Sequence, residues 1–118
     1  MQTNILTDEQ YKMLSRKLIN SIERHFKITP LNTLKHYKYI LRKPIYITIE
    51  MEKDIFIASL DDIEAFAYAD TEFEAINRLC EEIINIYEDL QADRDNLGKF
   101  PKKWLTFLEE VIVKSEEK

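Results

Sequence analysis

The sequence predicts an α+β domain in which a small, mostly antiparallel three-stranded sheet packs on one long helix, with extra N- and C-terminal helices. Three observations predict it. Two runs alternate apolar and polar residues with the period of two that a half-buried strand needs. A third short extended run follows them. An apolar stripe at three- and four-residue steps comes next, giving the order β-β-β-α from Pro44 to Leu97. At 118 residues the chain reads as one domain, long enough to bury roughly 65% of its unfolded surface without disulfides or metal.

The first element reads as a helix. Thr7-Asp8-Glu9-Gln10 has the pattern of a capping box, in which the threonine oxygen accepts an amide and Gln10 reaches back. Tyr11, Leu14, Leu18, Ile22 and Phe26 continue it as one stripe, with Lys12, Arg16, Lys17, Arg24 and Lys27 on the polar face. Pro30 stands where a proline beyond a helix end is expected. Residues 31–43 hold β-formers without a clean period, which leaves an edge strand and an ordered connector both open. Residues 1–43 are thus read as a basic helix and connector, and 44–118 as the α+β domain with its C-terminal helix.

Ile45, Ile47, Ile49 and Met51 share one face of the first predicted strand, and Tyr46, Thr48 and Glu50 the other. Glu52-Lys53-Asp54 turns the chain, and Ile55–Leu60 returns antiparallel. Asp61-Asp62 interrupts before Ala65-Phe66-Ala67-Tyr68-Ala69, whose small-large period puts Phe66 and Tyr68 on one face. Asp70 or Thr71 caps the long helix, Thr71–Gln91, with Glu74 completing a second capping box. Asp70, Glu72 and Glu74 suit the positive end of its dipole. Phe73, Ile76, Leu79, Cys80, Ile83, Tyr87 and Leu90 form its apolar stripe, flanked by Ile84 and Ile86. After a polar linker the last helix starts around Pro101, a proline tolerated in a first turn. Trp104, Leu105, Leu108, Val111 and Ile112 make its apolar face, and residues 114–118 are expected to fray.

Charge is divided unevenly along the chain. Residues 1–44 carry a net +6, residues 45–98 a net −12 and residues 99–118 a net +1. Such a split suggests an interaction surface, a self-association surface or both. One cysteine excludes an internal disulfide framework and fits a reducing cytosol. No apolar run approaches the ~20 residues of a membrane span, and the first residues lack a signal pattern. The expected setting is cytoplasmic, with no membrane partner.

Catalytic signatures are missing. One glycine is too few for a nucleophile elbow, a phosphate-binding loop or a dinucleotide fingerprint. His25 and His36 have no companion ligand at metal spacing, and Cys80 falls on the buried stripe as a small hydrophobe. Asp54, Asp61, Asp62, Glu64 and Asp70 gather at strand ends, where a two-metal hydrolytic site would also draw its ligands. They equally suit turns, which favour acidic residues. The expectation is a non-enzyme with no cofactor and no metal. In the basic segment, Lys35, Lys38, Arg42 and Lys43 interleave with aromatics. That pattern can meet nucleic acid, or dock on the acidic half of the same chain or of a second copy. No zinc-finger or RNA-recognition signature accompanies it, so self-docking is preferred.

The stretch Ile45 to Leu90 resembles the HicB-like antitoxins, whose core is a β-β-β-α partial ribonuclease H fold. Tyr46-Ile47-Thr48-Ile49-Glu50, Phe56-Ile57-Ala58-Ser59-Leu60 and the step from Asp70 to Ala75 into the helix carry the resemblance. Where that family usually has glycines, this chain reads Asp61-Asp62-Ile63-Glu64 and Ala67-Tyr68-Ala69. One helix in residues 99–118 falls short of the DNA-binding module that many members append. The resemblance implies an inhibitor fold without a catalytic centre. It also implies that an acidic surface, with Glu72, Glu81, Glu82, Glu88 and Asp89 as candidates, neutralises a small basic ribonuclease toxin. The other readings are a homodimer or higher homo-oligomer of structural or regulatory role, and a nucleic-acid binder acting through the basic segment.

Overall fold

The computed structural model describes residues 25–115. The capping box at Thr7–Gln10 and the stripe from Tyr11 to Ile22 lie outside them. The described elements are β1 (His25–Leu31), β2 (Tyr39–Leu41), β3 (Ile45–Glu52), β4 (Ile55–Leu60), β5 (Ala65–Ala69), α1 (Glu72–Ala92), α2 (Lys99–Val111) and β6 (Ile112–Lys114). Short 3-10 turns at Asp61–Ile63 and Arg94–Asn96 connect them. No helix among the described residues is long and apolar enough to cross a membrane.

The architecture is α+β, as expected, with a fully antiparallel main sheet of four strands in the order β1-β3-β4-β5. The expected three-stranded sheet lacks β1. Phe26 and Pro30 belong to that strand, not to a helix and the stop beyond it, and Pro30 lies opposite Tyr46. Seven register pairs with β3, from His25 opposite Met51 to Leu31 opposite Ile45, override the local helical period. Proline is tolerated there because an edge strand leaves alternate N–H groups without a ladder partner. The sheet therefore begins before residue 44, within the stretch read as a separate N-terminal unit.

The connector between β1 and β3 is an ordered core element. Leu34 is 1% exposed, and Tyr39 and Leu41 are buried. β2 leaves the main sheet and pairs antiparallel with β6, Tyr39 opposite Lys114 and Leu41 opposite Ile112. The Arg42 amide donates to the Val111 carbonyl at 2.7 Å, and the Ser115 amide to the Lys38 carbonyl at 2.7 Å. This ribbon corrects two expectations. Ile112 is buried in a strand, not on a helix face, and Lys114 is held by β2 instead of fraying.

α1 covers one face of the sheet. Thr71 is its N-cap, its hydroxyl accepting the Glu74 amide at 3.1 Å. Ala75, Leu79, Cys80, Ile83, Ile84, Tyr87 and Leu90 are buried against Ile45, Ile47, Ile49, Ala58, Leu60, Ala65 and Ala69 in one core. Phe73, assigned to the stripe from sequence, is instead 68% exposed, with the Lys35 ammonium 4.5 Å from its ring centre. α2 adds Leu105, Leu108 and Val111 to the core. Arg94, in the turn before α2, ties down its last turn by an ion pair of 2.9 Å to Glu109.

The other sheet face has a different character. Alternation in β5 turns Ala65 and Ala69 toward α1, and Phe66 and Tyr68 away from it. Ile28, Tyr46 and Ile55 share that outer face by register. Among the described residues, three that are not glycine adopt the left-handed conformation: Lys35, Lys53 and Glu64. Glu64, at φ 55°, stands immediately before β5.

Two outcomes test this account. Leu34→Ala should lower unfolding free energy by about 2–4 kcal/mol, whereas Tyr37→Ala, at an 84% exposed site, should stay within about 0.5 kcal/mol. Glu64→Gly should raise stability by about 0.5–1 kcal/mol, because relief of left-handed strain exceeds the entropy lost by a glycine. Denaturant unfolding reads both.

Candidate functional site

The solvent side of α1 and the basic connector beside it form the candidate site. A helix brings residues at i, i+4 and i+7 to one side. Glu74, Glu81 and Glu88 therefore form one row of carboxylates, and Glu82 and Asp89 another, with Asn85 between them. Glu81, Asn85 and Asp89 run along the helix over about 12 Å, from its rise per residue.

The five carboxylates singled out from sequence divide into two sets. Glu72 pairs with Lys27 on β1 at 3.0 Å. Glu88 accepts the Tyr39 hydroxyl at 2.7 Å and has the Lys38 ammonium at 3.9 Å. These two are engaged by their own chain. Glu81, Glu82 and Asp89 are exposed and make no ion pair among the described residues. Glu74, which was not singled out, is bridged to Arg78 at 3.5 Å.

The basic residues divide as well. Lys35 donates to the Asn77 side-chain oxygen at 2.8 Å while its ammonium lies over Phe73. Lys38 faces Glu88 and Tyr39. Both therefore lie against α1. Arg42 and Lys43 are exposed, and Arg42 uses its backbone amide to fasten β2. The His36 ring accepts the Lys38 amide at 3.0 Å through Nδ1 and stacks on Tyr37 at 4.8 Å. Tyr39 meets Tyr87 edge-on at 5.5 Å. This aromatic cluster went unnoticed in the sequence because its members come from two elements 48 residues apart.

The remaining candidates do not converge. Asp54 lies at the β3–β4 turn, and Asp70 follows β5 at the same end of the sheet, since Phe56 pairs with Ala69. Asp61, Asp62 and Glu64 lie at the opposite end of β4, about 20 Å away for a six-residue strand. No group of three His, Cys, Asp or Glu residues suited to a metal occurs among the described residues. Cys80 is 2% exposed with its thiol 3.8 Å from the Thr33 carbonyl, and burial pushes the thiol pKa up. That environment keeps the sulfur protonated and inert.

Comparison with protein-family models, curated proteins and solved structures gives no match.

The Tyr39–Glu88 contact has a titration signature. Burial first, then the hydrogen bond to Glu88 and its charge, push the Tyr39 phenol from 10.0 up to about 12. The folded state keeps this proton longer than the unfolded chain. The associated stability is intact below pH 10 and is lost as pH rises toward about 12. Tyr39→Phe should remove a phenol titrating at about 12 from the ultraviolet phenolate curve and lower neutral-pH stability by about 1 kcal/mol.

Proposed function

We propose that this chain is a non-catalytic binding protein of the HicB-like antitoxin type. It holds a small basic ribonuclease toxin against the solvent side of α1 and so covers the cationic surface with which that toxin would grip RNA. The observation that carries the reading is the division among the α1 carboxylates. Glu72 and Glu88 are matched by cations of their own chain, whereas Glu81, Glu82 and Asp89 face solvent without an internal cation among the described residues. Carboxylates spaced along about two helical turns compete with phosphates for a basic surface and steer its approach.

Other features support the same reading. β3, β4, β5 and α1 follow the β-β-β-α order of the family resembled, and Thr71 caps the helix at the step that carries the resemblance. The strand-end acids divide between two ends of the sheet, Asp54 and Asp70 at one and Asp61, Asp62 and Glu64 at the other, so the five do not gather into one centre. Lys35 and Lys38 face α1, which favours docking within the chain over nucleic-acid binding by this segment.

The test is capture of the tagged full-length protein's companion from its native cells, followed by calorimetry on the purified pair. A small basic protein that arrests growth when expressed alone is the expected companion. The triple change Glu81→Lys, Glu82→Lys, Asp89→Lys should weaken the complex about tenfold to a hundredfold and flatten its salt dependence. Unchanged affinity and salt response would show that the surface is misassigned. Recovery of the protein without any companion would remove the antitoxin reading.

A further inference from the structure

We propose that the outer face of the four-stranded sheet is the interface of a symmetric homodimer, in which two sheets stack face to face and the α1 helices lie outermost. This does not rest on the antitoxin reading. It starts from β5, which turns alanines toward its own helix and Phe66 and Tyr68 away from it. The exposures are 60% for Phe66, 57% for Tyr68, 64% for Tyr46, 65% for Ile28 and 42% for Ile55. Register puts all five on one face: Ile28 and Tyr46 come from neighbouring β1 and β3, Ile55 ends β4, and Phe66 and Tyr68 lie on β5.

Area decides what that face fits. Three aromatic side chains at ~150–250 Å² each and two isoleucines, weighted by these exposures, leave on the order of 600 Å² exposed per copy. That reaches the upper limit of the largest apolar patch of an ordinary monomer, about 300–600 Å². Two such faces together cover about 1,200 Å², within the range of specific interfaces. Partly exposed Ile57, Thr48 and Ser59, and exposed Pro30, add to it.

Charge decides the occupant. None of the five is ionic, and the carboxylates of that face, Glu50 and Glu52, already have interactions of their own. A strongly basic protein finds its complement on α1, on the other side of the sheet. An apolar, aromatic-rich face of this size is complementary to a copy of itself, and apolar cores distinguish homodimer interfaces from transient ones. Stacking at the usual separation of about 10 Å gives a four-layer helix-sheet-sheet-helix arrangement. A two-fold axis between the sheets makes the contact isologous.

Sedimentation and light scattering of the full chain across concentration test this. The expected species has twice the 14.2 kDa chain mass, and added sulfate holds or strengthens it, as apolar burial requires. Phe66→Lys combined with Tyr68→Glu should raise the dissociation constant at least a hundredfold, with the far-ultraviolet circular dichroism of the parent. The α1 triple charge reversal should leave the mass unchanged. Should the double variant fail to fold, Tyr46→Ser alone and the salt response of the parent give the same reading. A monomer at every concentration would overturn the proposal and assign the face to residues 1–24 or to another protein. A dimer that dissolves with salt, or one indifferent to these substitutions, would overturn it too, since pairing between basic and acidic surfaces weakens with screening.

Discussion

The close seat of α1 on a sheet face lined by small side chains is the constraint on which the remaining structure depends. Ala58 and Ala75 are fully buried and, having only a methyl group, let helix and sheet approach closely. Leu79 and Ile83, with no exposed surface, belong to the same core as Ile47 and Leu60. Each such side chain contributes about 1.5–3 kcal/mol when buried. Once that face holds the alanines of β5, the bulk of the strand must point outward. Once the apolar arc of α1 is fixed, so is the direction in which its carboxylates point. The acidic surface and the aromatic surface are therefore two consequences of one packing arrangement, on opposite sides of the molecule.

Much of this was legible in residue order. β3, β4, β5 and α1 advertise themselves by period, and the Thr71 cap by its spacing to Glu74. β1 was hidden because Phe26 extends a helical stripe and Pro30 imitates a helix stop, while its real determinant is a ladder with residues some twenty positions away. β2 and β6 are three residues each and exist only as a pair, so neither has a local signature. The left-handed residues Lys35, Lys53 and Glu64 carry no glycine to mark them. The candidate site was legible by charge alone: sequence marks Glu72, Glu81, Glu82, Glu88 and Asp89 as acidic. Separating those that face Lys27 and Lys38 from those that face water takes the paths of β1 and of the connector beside α1.

The two surfaces differ in the physics of recognition. Carboxylates on α1 act over a range set by ionic screening, about 8–10 Å at ordinary salt, and favour fast, steered encounter. The aromatic sheet face acts only at contact and gains from salts that weaken the first. A molecule with both can keep one association lasting while the other responds to its surroundings. The backbone supports this separation at the β5 edge, where Arg78 donates to the Tyr68 carbonyl at 2.9 Å and occupies an acceptor that a strand from another chain would need.

The β2–β6 ribbon joins residues near the beginning of the described chain to those near its end. Everything between them is thereby closed into a loop of more than seventy residues. Loop closure of that length contributes to folding late, after the hairpins and α1 have formed locally. A ribbon of three residue pairs with so long a loop to close has the features of a unit that opens before the central sheet does. Amide exchange in this protein should proceed from that latch inward, with the β3–β4 ladder the last to open.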